Sequence, residues 1–177
     1  IYESFKYPKK WVKKQGQYGN ALDYYMNLID FLYPNKTYPV QIVWGTSFIN
    51  NNNSMPTHFT VKGKLPHMFV CEIYDNNSRI INTKRIKITI FSEDLRESAD
   101  YILDSICIRD VEQQHVGALI TLNKRGYFFD GDSPLKLKSL NWISTTFLND
   151  NRLFSFGRKY SKFNLRNGYQ ILYYYRI

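Results

Sequence analysis

A histidine and two aspartates stand at the ends of two adjoining apolar segments. His115 precedes the apolar run 116–122, and Asp130 ends the next run, 127–130, with Asp132 two residues further along. If the two runs pair as a tight hairpin, imidazole and carboxylate meet at the same end of two strands. A histidine oriented by an acid is the general base that activates a serine, cysteine or threonine. The spacing therefore predicts two of the three groups that covalent catalysis requires.

The third group, a nucleophile, has few candidates. The chain contains two cysteines, Cys71 and Cys107, each inside an apolar stretch. Two thiols are too few for a disulfide framework or a four-cysteine zinc site, and no cofactor is predicted. A reactive thiolate normally lies at a helix N-terminus or beside a cation, so neither position is typical of a nucleophile. Free thiols favour a reducing compartment, which predicts the cytoplasm or the nucleus, or a virion.

One helix and a series of strands have to position these groups. Apolar residues recur at three and four spacing over residues 20–32, with Asn20 as the N-cap and Pro34 as the stop. Strand-like runs cover residues 40–48, 59–61, 68–74, 85–91, 101–109, 116–122, 127–130 and 169–175, and residues 140–148 form a candidate short helix. We predict an α+β fold with a mostly antiparallel sheet and one prominent N-terminal helix. The domain prediction is a single domain over residues 1–177.

The order of these features resembles the ubiquitin-specific protease family. Residues 17–25 (QYGNALDYY) are similar to the family's Gln-Asp-Ala-x-Glu-Phe helix start, and residues 64–74 (KLPHMFVCEIY) to its leucine-proline strand segment. Residues 114–117 (QHVG), 127–130 (YFFD) and 168–174 (GYQILYY) follow in the family's order. The resemblance covers most of the chain and implies a papain-like fold that cleaves the isopeptide bond after the last glycine of ubiquitin.

By this resemblance His115 is the general base and Asp130 its orienting acid. Asp132 or Ser133 is a backup group or a group that supports this pair from behind, because the extra Gly131 blurs the alignment. The implied partners are ubiquitin or a ubiquitin-like protein, together with another protein segment that completes the fold.

The resemblance also implies a cysteine box upstream of the helix at Asn20, and no cysteine stands there. The domain is therefore expected to be incomplete, and the enzyme prediction is an open one: a cysteine-type deubiquitinase fold whose chain is inactive by itself.

Two further classes of protein remain open. The missing thiol favours a catalytically dead protease fold, a pseudoenzyme kept as a structural or assembly module, for example in a viral particle. In that reading His115 is a strand-edge histidine and residues 130–134 form an ordinary polar turn.

The charge favours a basic nucleic-acid-binding module. Lysine and arginine total 24 against 15 acids, a formal net charge of +9, with basic clusters at residues 6–14, 84–87 and 158–166 and aromatic residues between them. Such a surface predicts weak, salt-dependent binding of polyanions. No apolar run approaches the roughly 20 residues that cross a bilayer, so no membrane span is predicted.

Overall fold

The structure is a computed structural model of the 177-residue chain. It describes residues 40–43, 55–73, 84–110, 115–130, 137–155, 162–165 and 169–177, and for residues 40–43 the backbone alone. These residues all belong to one unit of the chain, Val40–Ile177. The prediction of a single domain over residues 1–177 stays a prediction.

Strands dominate the described residues because β-branched and aromatic side chains recur in runs that turn residues separate. The strands are β1 (Val40–Val43), β2 (His58–Val61), β3 (Met68–Ile73), β4 (Lys87–Ser92), β5 (Glu97–Arg109), β6 (Val116–Leu122), β7 (Arg125–Asp130), β8 (Lys138–Ser139) and β9 (Gln170–Arg176). A four-residue helix, α1 (Thr145–Leu148), begins where the N-cap Ser144 accepts a hydrogen bond from the backbone N–H of Phe147.

The nine strands form one sheet with the order β1-β3-β9-β5-β6-β7-β8, and β4 pairs with β5 while β2 pairs with β4. The 13-residue strand β5 is the longest. Its first half pairs with β4, its second half pairs with β6, and β9 lies along the other edge. The parallel pairings are β1 with β3 and β2 with β4, and the other pairings between described strands are antiparallel.

The core lies on the face of the sheet where every second side chain is buried. In β6 and β7 these inward residues are Leu119 and Phe128, and Trp142 packs with them. Two buried tyrosines satisfy their hydroxyls on backbone carbonyls. The Oη of Tyr101 donates to the oxygen of Pro66 at 2.5 Å, and the Oη of Tyr174 donates to that of Arg85 at 2.7 Å.

A buried lysine ties α1 to the sheet. The side chain of Lys84 is fully buried, and its ammonium group donates to the carbonyl of Leu148 at 3.3 Å and to that of Leu165. Its backbone N–H donates to Oδ1 of Asn149 at 2.7 Å. Because the last carbonyls of a helix have no partner within the helix, the ammonium also supplies a C-terminal cap.

The prediction of an α+β fold with a prominent N-terminal helix is wrong. The described residues are 56% strand and their one helix has four residues. The predicted helix at residues 20–32 lies outside the described residues. Helical spacing of apolar residues is a local signal, whereas the class of a fold depends on long-range strand pairing, such as the three neighbours of β5, that local spacing does not report.

Candidate active site

A tight hairpin brings the predicted histidine and aspartate together. Strands β6 and β7 pair from Gly117 opposite Asp130 to Leu122 opposite Arg125. The two residues between the strands, Asn123 and Lys124, have φ of 51° and 62°, the positive values that a two-residue type I′ turn requires. Asp130 therefore lies opposite the second residue of β6, close to His115, which directly precedes this strand.

The side chains of His115 and Asp130 are in direct contact. Nε2 of His115 lies 2.6 Å from Oδ1 of Asp130, and because a carboxylate can only accept, the imidazole donates its Nε2–H to it. The imidazole side chain is 16% exposed and the carboxylate side chain 4% exposed. The acid thus lies behind a base that solvent can reach, which is the arrangement of a base and its orienting group. Their catalytic role stays a prediction.

An aromatic cluster forms the inner wall of this pair. The ring centroid of Phe163 lies 6.2 Å from that of His115 and 5.3 Å from that of Phe128. A Cβ added at Gly117 would meet Cζ of Phe128 at 2.6 Å and Cζ of Phe163 at 3.3 Å. The glycine two residues after the histidine is therefore required by the close approach of two rings to the backbone.

No pattern in the sequence indicates that Phe163 or Asp110 belongs to this site. Phe163 follows His115 by almost fifty positions, and it pairs with Phe154 through an isolated bridge outside the strands of the sheet. Asp110, which is buried, stands at the end of an apolar run like many solvated acids. The predicted second acid, Asp132, and its neighbour Ser133 lie outside the described residues.

Neither cysteine of the chain can act as the nucleophile for this pair. Burial raises the pKa of the Cys71 thiol well above its usual range and raises the pKa of Cys107 to about 11, so both thiols stay protonated at neutral pH. Cys107 pairs with Ala118, the neighbour of Gly117, which pairs with Asp130. Because side chains alternate along a strand, Cys107 lies on the opposite face of the sheet from Asp130.

The described residues contain no group of three or more histidine, cysteine, aspartate or glutamate side chains that could hold a metal ion. Within the same part of the chain, no helix has the length and apolar character needed to cross a membrane.

A cavity of about 200 Å³ lies beside Phe154. It is lined by Phe147, Asp150, Arg152, Leu153, Phe154 and Leu165. Phe154 also stacks on Phe163 with a centroid distance of 5.8 Å, so the cavity is joined to the His115 site through two rings.

No protein-family model matches the chain, and no curated protein matches it. Among solved structures, the chain is similar to the yeast SAGA DUBm, a deubiquitinase module, with a TM-score of 0.33 and 15% sequence identity. The match covers 64% of this chain and 24% of that chain, so the chain spans about a quarter of the length of its solved neighbour.

Proposed function

We propose that this chain is the base-bearing part of a thiol isopeptidase domain of the ubiquitin-specific protease kind. The contact of 2.6 Å between His115 Nε2 and Asp130 Oδ1 carries the proposal. It joins the residue that precedes β6 to the last residue of β7, with the imidazole more exposed than the acid.

The ring nitrogen that contacts Asp130 determines which nitrogen of His115 is left to act as the base. Because Nε2 of His115 faces Asp130, Nδ1 is the nitrogen that takes the proton from the attacking thiol. The thiolate then adds to the carbonyl carbon of the isopeptide bond, and the imidazolium returns the proton to the departing lysine amine. Water hydrolyses the thioester and regenerates the thiol. Asp130 holds the imidazole in one tautomer and stabilises the imidazolium throughout.

The thiol comes from a cysteine other than Cys71 and Cys107. Cys71 is buried and Cys107 is half-buried, both thiols stay protonated, and Cys107 lies on the face of the sheet opposite Asp130. A partner segment that presents a cysteine to His115 completes the site. Asp132 remains the candidate for a second acid.

A ubiquitin whose C-terminus carries a thiol-trapping group tests this function. The probe is added to the purified chain and, in parallel, to the native assembly isolated through a tag on this chain. We expect no adduct with the purified chain and an adduct in the native assembly, on a cysteine other than Cys71 and Cys107. His115→Gln in the tagged chain should abolish that adduct.

Two outcomes contradict the proposal. An adduct on Cys71 or Cys107 would place the chemistry elsewhere in the chain, and an adduct that survives His115→Gln would remove the base from the mechanism. A native assembly that forms no adduct at all favours the alternative function, a protease fold that serves as a structural module. The raised pKa of both thiols, which keeps them protonated, is the observation that favours this alternative.

A further inference from the structure

A second buried acid stands beside the candidate base. Asp110, which directly follows β5, is 3% exposed. Its backbone N–H donates to the carbonyl oxygen of His115 at 2.7 Å. Its carboxylate Oδ2 accepts a hydrogen bond from the backbone N–H of Lys162 at 3.1 Å. One residue therefore bonds both to the backbone of the histidine and to a segment about fifty positions away in the sequence.

That distant segment builds the wall against which the imidazole packs. Phe163 follows Lys162 and exchanges two backbone hydrogen bonds with Phe154, at 2.8 and 2.9 Å. The ring of Phe163 is fully buried and tilted by 54° against the ring of His115. The position of Lys162 thus sets where the Phe163 ring meets the imidazole.

We propose that Asp110 is a positioning residue for His115. It holds the backbone of the histidine with its own N–H, and through the N–H of Lys162 it holds the segment that carries Phe163. The imidazole is thereby fixed in the orientation that keeps its Nε2–H on Asp130. The importance of this orientation for catalysis rests on the proposed function, whereas the positioning itself does not.

The chemistry of the carboxylate supports this role over that of a simple packing residue. Burying an acid away from water is unfavourable unless hydrogen bonds compensate the loss of solvation. An apolar side chain would fill the space beside β5 at a lower cost, but it could not accept the N–H of Lys162. An asparagine could, because its Oδ1 is also an acceptor. The conservative variant therefore distinguishes acceptance of this bond from negative charge.

The Nε2–H proton of His115 reports on the position of the ring. In chain labelled with ¹⁵N-histidine, the three histidines give separate ring signals, and His115→Gln assigns the one of interest. The exchange rate of the Nε2–H proton with water is measured at one fixed pH in the wild type and three variants. The variants are Asp110→Ala, Asp110→Asn and a control, Ser92→Ala.

Ser92 is a matched control because it makes comparable bonds at another part of the sheet. Its side chain is buried, its Oγ donates to the carbonyl of Gly63 at 2.6 Å, and it accepts the N–H of Leu95 at 3.1 Å. Ser92→Ala therefore removes buried side-chain to backbone bonds without touching the segment around Phe163. It measures what general destabilisation alone does to the His115 proton.

We expect Asp110→Ala to accelerate the exchange about tenfold, because the lost acceptor lets the segment and the ring open locally. Asp110→Asn should restore slow exchange, and Ser92→Ala should leave it unchanged. The proposal is contradicted if the Nε2–H proton of His115 exchanges at the wild-type rate in Asp110→Ala. It is also contradicted if Ser92→Ala accelerates this exchange as much as Asp110→Ala does.

A second variant covers the case in which Asp110→Ala does not fold. Phe163→Leu keeps the N–H of Lys162 but removes the aromatic wall, and it should also accelerate exchange of the His115 proton. An unchanged exchange rate in Phe163→Leu would contradict the proposal that Asp110 positions the imidazole through the segment that carries Phe163. Since the measurement needs no catalytic activity, its result is independent of whether the native assembly forms an adduct with the ubiquitin probe.

Discussion

At the scale of single residues, the histidine and the aspartate of the candidate site have unequal access to water. With 16% exposure for the His115 side chain and 4% for that of Asp130, solvent reaches the base but hardly the acid. A hydrogen bond shielded from water is electrostatically stronger than one in solvent. The acid can therefore hold the ring firmly while the ring remains accessible to a substrate or a partner.

Replacing the acid by its amide tests this division of roles. In Asp130→Asn the side chain loses its charge and can present N–H₂ to the ring, so the imidazole is no longer held in one tautomer. We expect the native assembly to react with the ubiquitin probe roughly 10²–10⁴-fold more slowly, measured as the rate of adduct formation. Asp100→Asn, which changes an acid paired with the exposed Lys87, is the control and should keep the wild-type rate. An unchanged rate in Asp130→Asn would exclude the aspartate as the orienting group.

The thiol of Cys107 should be unreactive at neutral pH in the folded chain. Its burial disfavours the thiolate and raises the pKa to about 11, and alkylation proceeds through the thiolate. We expect slow modification by iodoacetamide near pH 7, a rate that rises as the pH approaches 11, and fast modification once the chain is unfolded in urea. Mass spectrometry measures the modified fraction. Rapid modification of the folded chain at neutral pH would show that the thiol is activated.

At the scale of secondary structure elements, the long strand β5 and the buried Lys84 organise the site. The second half of β5 pairs with β6 and so places the start of β6, where His115 stands. Lys84 joins the end of α1 to the segment 162–165 through the carbonyls of Leu148 and Leu165. The same segment contains Phe163, whose ring packs against the imidazole. Elements far apart in the sequence are therefore in contact beside His115.

The same substitution at a buried and at an exposed lysine tests how much the buried Lys84 contributes to the stability of the fold. Lys84→Met preserves most of the side-chain volume but leaves two buried carbonyls without this donor. We expect the free energy of unfolding to fall by about 1–3 kcal/mol, measured by urea denaturation. Lys87→Met is the control, because this exposed lysine pairs with Asp100 at the surface and exposed pairs contribute little. Equal losses in the two variants would show that the buried ammonium has no special role.

At the scale of the whole molecule, the formal net charge of +9 includes basic residues at 84–87 that make separate contacts within the chain. Lys84 is buried on backbone carbonyls, Nε of Arg85 donates to the carbonyl of Met55 at 3.2 Å, and Lys87 pairs with Asp100 at 2.6 Å. Three basic residues that are close in sequence therefore serve three different contacts.

The separate contacts of the basic residues at 84–87 predict only non-specific binding of nucleic acid by this region, and the basic residues at 6–14 and 158–161 lie outside the described residues. We expect single-stranded DNA to bind at low salt and to lose affinity steeply between about 50 and 200 mM salt, measured by fluorescence anisotropy. Lys84→Met should not change the dissociation constant, because a buried ammonium contacts no phosphate. Tight binding that persists at about 200 mM salt would instead favour a dedicated nucleic-acid site.

Much of the strand pattern could be predicted from local sequence. The predicted runs at 68–74, 101–109 and 116–122 overlap the observed β3, β5 and β6 closely, because β-branched and aromatic runs between turn residues report directly on strand formation. The predicted run at 169–175 overlaps β9, in which Tyr174 is buried while Tyr175 is exposed. The fold class was predicted wrongly because the helical pattern at residues 20–32 was taken to indicate a helical layer packed on the sheet.

The sequence by itself determined the hairpin and therefore the meeting of His115 with Asp130, because two adjacent apolar runs with a short polar turn have one favourable pairing. Tertiary structure alone decided the rest of the site. The face that Cys107 occupies, the burial of Lys84 and the approach of Phe163 and Asp110 to the histidine all depend on contacts between distant segments. Such contacts arise from packing the whole sheet, and no local pattern of residues encodes them.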